Sequence, residues 1–240
     1  MNRTFASLAY PNYKKWFIGA IIANIGTWMQ RIAQTWVVLA ELSEDSGVAV
    51  GTVVALQFLP TLLLTPVGGL LADRVEKKKL LISTQLGLAL SSLSLGAIVL
   101  SGNAELWHVY IFALVLGTLA ALDQPVRMTF VSELVPPTSL ANAVGLNATS
   151  FNGARLIGPA VAGFLIAAVG SGWVFIITGI AFAGPITAMF LMKEEDMYAG
   201  ARAARKDRGL GVAVRYVREH ADIAVIISVM AVVGAFGLNF

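Results

Sequence analysis

The sequence predicts an all-α membrane protein: a six-helix transmembrane bundle followed by a truncated seventh helix. The chain is 57% hydrophobic and only 13% charged, about half the charged fraction of a typical soluble domain. Its apolar residues also fall into long stretches, and about 20 helical residues suffice to cross a hydrocarbon core of roughly 30 Å. Helix is the expected conformation because open strand edges cannot be satisfied in lipid.

Each apolar stretch is long enough to cross a bilayer alone. The six complete stretches run roughly over Trp16–Leu39, Val48–Ala72, Leu80–Leu100, Leu106–Leu122, Ala141–Val169 and Trp173–Met192. We expect a transmembrane bundle over residues 1–192, a charged cytoplasmic linker with a short amphipathic helix over 193–222, and the start of a seventh helix over 223–240. The chain then resembles a fragment of a longer protein, and we expect this fragment not to transport on its own.

The basic residues predict the orientation. Lys and Arg occur before the first stretch, between the second and third, between the fourth and fifth, and after the sixth, whereas the other connections contain neither. By the positive-inside rule, the N-terminus and the basic connections are cytoplasmic, in a multi-pass protein of the plasma or inner membrane. Because topology explains the net charge of +3, we expect no nucleic-acid partner.

The connection between the second and third stretches has the most specific local pattern. Its members are Gly69, Asp73, Arg74, Lys77 and Lys78. The pattern resembles the cytoplasmic loop motif of the major facilitator superfamily, with Glu76 in place of the usual second glycine, which puts a tight turn there in doubt. The resemblance implies a loop that latches the two halves of a transporter in the outward-facing state. Ordinary positive-inside charge is the alternative interpretation.

The fifth stretch contains a glycine-proline step. Its residues are Arg155, Gly158, Pro159 and Gly163. The step resembles the motif of fifth helices in the antiporter branch of the same superfamily, which implies an exporter rather than an importer. Small residues permit close helix approach and proline bends a helix, so a generic packing kink is the alternative. A packing role and a cavity role both stay open for Arg155.

Polar residues form a stripe along the first stretch. Its members are Asn24, Thr27, Arg31 and Gln34, and they share an arc of about 80° on a helix. An arginine at a membrane helix centre costs about 2.5–3.5 kcal/mol, and we place no carboxylate inside the apolar stretches. We therefore expect Arg31 to line a central cavity and attract an anionic or polar aromatic substrate group. A structural arginine that pairs with the other half of the protein is the alternative.

Asp123 and Arg127 follow the fourth stretch, four residues apart. We expect a local pair beside the cytoplasmic loop, acting with that loop as a conformational gate, or else a simple surface pair. The sequence around them, together with the segment Gly26–Gln30, resembles the bacterial drug and siderophore exporter branch of the superfamily, which includes the enterobactin exporter and macrolide efflux proteins.

The resemblance implies a secondary active transporter, with proton-coupled efflux of a small molecule as the expected activity. The expected partners are a small-molecule substrate, a proton or other ion gradient, the lipid bilayer and the missing C-terminal half. No enzyme chemistry, cofactor or metal is expected, because the chain has no cysteine, two isolated histidines and no phosphate-binding loop. The alternatives are an importer of the same superfamily and a non-transporting membrane sensor or scaffold.

Overall fold

The computed structural model describes residues 3–43, 45–198 and 229, apart from the side chains of residues 3 and 72–74. All of these except Val229 belong to one compact unit, and every regular element in them is a helix. The helices are α1 (Pro11–Trp36), α2 (Gly47–Arg74), α3 (Lys77–Leu100), α4 (Leu106–Phe130), α5 (Leu140–Val169), α6 (Ser171–Ala181) and α7 (Ala183–Phe190). Most of the predicted linker, and the predicted seventh helix apart from Val229, lie outside the described residues.

Five spans have both the length and the composition to cross a membrane: Gly47–Leu71, Lys77–Leu100, Leu106–Glu133, Pro137–Val169 and Ser171–Phe190. The prediction of an all-helical membrane bundle is thereby confirmed in its coarser form. Helix α1 has 26 residues, so its length suffices as well. Its polar stripe and its two lysines make it the least apolar of the long helices, which is why its composition alone does not identify it as a span.

Helix α1 begins at Pro11 rather than at Trp16, and two further differences from the predicted stretches concern the fourth and sixth. The fourth apolar stretch was expected to end at Leu122, but α4 continues to Phe130. The sixth stretch divides at Phe182 into α6 and α7. Pro185 explains this division, because it lacks the N–H that would bond to the carbonyl of Ala181.

The helices pack in a pattern that relates the first three to the last three. The most extensive pairs are α2 with α4, α1 with α5 and α3 with α6, followed by α3 with α4 and α1 with α6 and α7. Let α1, α2 and α3 exchange places with α4, α5 and the α6–α7 unit, respectively. Each pair then becomes another pair of the same set; for example, α2 with α4 becomes α5 with α1. Such packing is expected of two three-helix repeats related by a pseudo-two-fold axis.

Large apolar side chains cover much of the outer surface, especially on α2 and α5. Leu62 is 76% exposed, Leu156 80% and Phe164 73%. A monomeric soluble protein rarely exposes contiguous apolar surface of this kind. The surface is instead suited to contact with lipid or with further transmembrane helices, and it leaves the polar groups concentrated inside the bundle.

Candidate functional site

Arg31, on α1, has a polar neighbour on α2. Its Nη1 donates to Oε1 of Gln57 at 3.4 Å, and Nε2 of Gln57 donates to Oε1 of Gln34 at 2.7 Å. Gln34 and Gln57 are both buried, whereas Arg31 is half-buried. Two of the four residues in the predicted stripe, Arg31 and Gln34, therefore meet through a side chain of the second helix.

Aromatic rings hold Arg31 beside the second intramembrane arginine. Its guanidinium carbon lies 4.3 Å from the ring centroid of Phe58 and 5.9 Å from that of Trp28. The guanidinium carbon of Arg155, on α5, lies 5.5 Å from the same Trp28 centroid. We call these four residues, Arg31, Arg155, Trp28 and Phe58, the two-arginine site. Neither arginine has an acidic partner among the described residues.

Asp123 lies at the centre of a second, separate polar cluster. Its Oδ1 accepts hydrogen bonds from Oγ1 of Thr84 at 2.7 Å and from Nε2 of Gln85 at 2.9 Å, both on α3. Its Oδ2 accepts from Nε of Arg127 at 2.9 Å and lies 2.8 Å from Nη2 of the same side chain. Each of the two carboxylate oxygens thus has two donors.

Arg127 links this cluster to α1. Its Nη1 lies within 3.5 Å of Oδ1 of Asn24, and its guanidinium carbon is 5.4 Å from the ring centroid of Trp16. Nδ2 of Asn24 in turn donates to Oγ of Ser150, on α5, at 3.2 Å. We call the set Asp123, Arg127, Thr84, Gln85 and Asn24 the Asp123 network.

The interpretation of Asp123 and Arg127 as a surface pair is wrong. Asp123 is 4% exposed and Arg127 8% exposed. The expectation that no carboxylate lies inside the apolar helices also fails at Asp123, because α4 runs past Leu122 and carries both residues into the bundle. The charges are tolerated there because each is paired and hydrogen-bonded.

The predicted stripe on α1 does not act as one unit. Asn24 belongs to the Asp123 network, whereas Arg31 and Gln34 share Gln57. Thr27 donates to the carbonyl of Ala23 on its own helix at 2.8 Å. The helical spacing correctly placed these residues on one side of α1, but the neighbouring helices divide them between two sites.

The connection between α2 and α3 is a tight turn of two residues, Val75 and Glu76. Their φ angles are −105° and −62°, so the turn needs no glycine at position 76. Nζ of Lys77 lies 2.6 Å from Oε1 of Glu133, which ends the 3₁₀-helix Val131–Glu133 directly after α4. Lys78 is half-buried, and nothing within 4 Å would meet a side chain at Gly69. The side chains of Asp73 and Arg74 lie outside the described residues.

The glycine-proline step lies against α1 at one position. A Cβ at Gly158 would be 2.5 Å from Cβ of Trp28 and 3.1 Å from the carbonyl oxygen of Ile25. At Gly163 a Cβ would meet nothing within 4 Å. Pro159 lies inside a continuous α5, where it leaves the carbonyl of Arg155 without its helical donor.

Several residues in or beside these sites were not singled out from the sequence. Gln57 is the one amide side chain in the second apolar stretch, and that isolation is the signal that could have found it. Glu133 is an acidic residue in the connection after the fourth stretch, on the same predicted side of the membrane as the basic connection that contains Lys77. That location could have marked it as a partner for Lys77. The donors to Asp123, Thr84 and Gln85, carry no comparable signal because they depend on how α3 faces α4.

Comparison with known proteins identifies the family. The profile of the transmembrane secretion effector family, a branch of the major facilitator superfamily, matches residues 2–239. The uncharacterized MFS-type transporter YfiS of Bacillus subtilis is 28% identical over 174 residues, 72% of this chain and 40% of the relative. The staphyloferrin A transporter of Staphylococcus aureus is 30% identical over 155 residues, 64% of this chain and 38% of the relative.

A third relative has a name that refers to drug resistance. The multidrug resistance protein MdtG of Dickeya zeae is 28% identical over 145 residues, 60% of this chain and 34% of the relative. The chain thus spans less than half the length of the curated relatives it matches. The resemblance to the major facilitator superfamily, a family of transporters rather than enzymes, is confirmed by these matches.

Among solved structures, the fold is similar to a bacterial homologue of the human lysosomal transporter Spinster in an inward-facing, unoccupied conformation. The TM-score is 0.58 at 15% identity, over 83% of this chain and 46% of that chain. This likeness concerns the fold alone. Since the family profile covers nearly every residue and the helices form a multi-pass membrane bundle, the chain belongs to the transmembrane secretion effector family of the major facilitator superfamily.

Proposed function

We propose that this chain is the N-terminal part of a secondary active transporter that exports a small molecule by alternating access, driven by protons or another ion gradient. The observation that carries the proposal is the two-arginine site. Two cations without acidic partners among the described residues are expensive inside a membrane helix bundle, and a binding cavity gives them a use that a scaffold or sensor lacks.

In the proposed transporter, residues 1–192 form the N-terminal bundle, 193–222 the cytoplasmic linker and 223–240 the start of the next helix. The substrate site includes Asn24, Thr27, Arg31 and Gln34. Its support is uneven: Arg31 and Gln34 share a hydrogen-bonding neighbour, whereas Asn24 belongs to the Asp123 network. Asn24 would therefore also connect the substrate site to the gate.

The proposed gate combines the α2–α3 connection with the Asp123 network. Its residues are Gly69, Asp73, Arg74, Lys77, Lys78, Asp123 and Arg127. The pair between Lys77 and Glu133 supports a role in holding the ends of α3 and α4 together. The open space at Gly69 leaves room for a close approach by another helix.

Export is the proposed direction, on the basis of the step formed by Arg155, Gly158, Pro159 and Gly163. The close contact at Gly158 supports a fixed junction between α1 and α5, and Pro159 supplies a weak point in the helix beside that junction. The relatives named as a staphyloferrin A transporter and as a multidrug resistance protein make siderophores and drugs the substrates to test first.

The proposed location is the plasma or inner membrane with the N-terminus in the cytoplasm. The chain has no cysteine, so a single introduced thiol reports its side of the membrane. Asn103→Cys lies in an exposed outer connection, and Lys79→Cys is exposed at the α2–α3 connection. An impermeant maleimide added to intact cells should label the first and not the second. The reverse pattern would contradict the orientation.

The activity is tested with the full-length protein in proteoliposomes, using a siderophore, a macrolide and a cationic dye, each with and without an imposed proton gradient. We expect gradient-dependent movement of at least one substrate, and its loss in Arg31→Ala. Unchanged affinity and rate for every transported substrate in Arg31→Ala would contradict the role of Arg31. Absence of movement for all three under proton, sodium and potassium gradients would contradict the transport function.

A further inference from the structure

We propose that the two-arginine site binds a single small organic anion with at least two acid groups, so that the transported substrate is a dianion or polyanion. One acid group would meet Arg31 and another Arg155. This inference rests on the proposed transport function and names its substrate class. It also assigns Trp28, Phe58 and Arg155 to the substrate site, beyond the polar stripe of α1.

The two guanidinium groups are close enough to share one small ligand. Their distances of 5.9 and 5.5 Å to the same Trp28 centroid place the two Cζ atoms no more than about 11.4 Å apart. The junction between the helices is also firm, because Gly158 of α5 lies directly against Trp28. A ligand therefore meets two cations whose spacing is already set by helix packing.

The chain offers these cations no acid of its own nearby. Helices α1 and α5 contain no Asp or Glu, and the single acid of α2 is Asp73, at its far end from Gln57. None of the ion pairs among the described residues includes Arg31 or Arg155. Two nearby like charges repel each other, and an anion that bridges both removes that repulsion.

Arg127 shows how the same fold treats an arginine with a structural role. An acid lies four residues before it on its own helix, and the pair is buried and fully hydrogen-bonded. Four residues before Arg31 lies Thr27, and four residues before Arg155 lies Phe151, so neither arginine has an acid at this position. Arg155 is also exposed in this bundle, so its N–H groups are accessible to a ligand.

The aromatic rings leave the donors of both arginines available. A guanidinium has five N–H donors in its plane and can contact a ring with its face while its edge binds a carboxylate in a bidentate manner. Arg31 uses one N–H for Gln57, and Arg155 uses none within the described residues. Phe58 is 46% exposed beside Arg31, and its ring provides an apolar wall for the carbon skeleton between the acid groups.

The test is binding to the purified full-length protein in nanodiscs, measured by isothermal titration at pH 7.5. The probes are citrate, suberate and terephthalate, with benzoate as the monoanion and terephthalamide as the neutral match. We expect at least one di- or tri-acid to bind about 10- to 100-fold more tightly than benzoate, and terephthalamide not to bind, since each charge-assisted contact contributes about that factor.

Variants assign the effect to the two arginines. Arg31→Gln and Arg155→Gln should each weaken binding of the acid by about 10-fold or more, whereas Arg31→Lys and Arg155→Lys should each weaken it less, because the charge stays while the bidentate contact is lost. Lys14→Gln removes a cation from an exposed position on α1 and should change nothing. Equal binding of acid and diamide, or equal loss in Lys14→Gln, would overturn the inference.

The same samples separate this inference from the transport proposal. If a cationic dye moves under a gradient while no di-acid binds, the transport function stands and the substrate class is wrong. If a di-acid binds through both arginines but nothing moves under any gradient, the site is right and the transport function fails. Absence of di-acid binding together with large losses of thermal stability in both Gln variants would show that the arginines pair with carboxylates elsewhere in the protein, and the inference would be overturned.

Discussion

The Asp123 network and the two-arginine site place the same kind of residue, an arginine, inside the same helix bundle in opposite ways. Arg127 is buried with a carboxylate, an amide and an indole ring around it. Arg31 and Arg155 both have aromatic neighbours, and Arg31 makes a single long hydrogen bond, to Gln57. The contrast teaches that a compensated charge serves the bundle itself, whereas an uncompensated one remains available to a ligand.

This difference has a consequence for stability. The Asp123 network joins α3, α4 and α1, and through Ser150 it reaches α5. Removing one member leaves another buried and unpaired. The two-arginine site has no such dependence, because its cations already lack acidic partners among the described residues. Stability measurements on the full-length protein should therefore separate the two sites.

The largest expected effect comes from Asp123→Ala. Arg127 would remain buried without its counter-ion, and breaking a buried pair in this way costs about 3–5 kcal/mol of unfolding free energy. Arg31→Ala should cost about 0.5 kcal/mol or less, as for a partly exposed side chain without strong partners. The measurement is the apparent melting temperature of purified protein in detergent, followed by intrinsic fluorescence.

The double variant Asp123→Asn with Arg127→Gln provides the control. Its side chains can still hydrogen-bond to Thr84 and Asn24. We therefore expect it to lose less unfolding free energy than the sum of the losses in Asp123→Asn alone and Arg127→Gln alone. If Asp123→Ala and Arg31→Ala melted at the same temperature, the distinction between compensated and uncompensated arginines would have no energetic basis.

The second largest effect is expected from Gly158→Leu, which tests whether helix packing sets the spacing of the two arginines. A Cβ at this position already lies 2.5 Å from Cβ of Trp28, so α1 and α5 must separate, at a cost of about 1–3 kcal/mol for overpacking. Gly163→Leu is the matched control on the same helix, since a Cβ there meets nothing within 4 Å. Equal melting temperatures of the two variants would show that the Gly158 contact is not a constraint.

The sequence predicted the helices well and their ends less well. Long apolar stretches are sufficient to identify membrane helices, but a rule that stops at the first charge ends the fourth helix at Leu122. Helix α4 continues because Asp123 and Arg127 are compensated by other helices, which a linear sequence does not display. The break at Phe182, by contrast, follows from Pro185 and could have been predicted from the sequence.

For the candidate site, the sequence identified the intramembrane arginines but not their neighbours. The spacing on α1 placed Arg31 and Gln34 on one face, while Gln57 depends on the register of α2 against α1. The meeting of Arg31 and Arg155 at Trp28 depends on the contact at Gly158. The packing symmetry of the two three-helix units was likewise not evident in the sequence, because it lies in helix pairing rather than in residue identity.

A third kind of polar group sharpens the comparison. Gln30 on α1 is fully buried, and neither its Oε1 nor its Nε2 has a hydrogen-bond partner among the described residues. Replacing a buried, unpaired polar group with an apolar one of similar size removes a desolvation cost. Gln30→Met should therefore raise the unfolding free energy by about 1 kcal/mol. Gln30→Glu, which would bury a charge, is the opposing control and should lower it.

The measurement is the shift in apparent melting temperature relative to the parent protein. Destabilisation by Gln30→Met would mean that the amide binds a partner outside the described residues, such as a group from the rest of the protein. Gln30 would then belong with the compensated residues of the Asp123 network rather than forming a class of its own.

The smallest effect is expected at Lys77 and Glu133, which form a compensated pair at the edge of the bundle. Their side chains are 20% and 25% exposed, and a partly solvated ion pair contributes about 0.2–1 kcal/mol. Lys77→Glu and Glu133→Lys should each lower the melting temperature slightly, and the combined swap should restore it. Because the pair is weak, its value to a transporter lies in being broken and remade during the cycle. We therefore expect each single variant to lower the transport rate clearly while the melting temperature changes little. If the swap restored the melting temperature but not the transport rate, Lys77 would have to pair during the cycle with an acid other than Glu133.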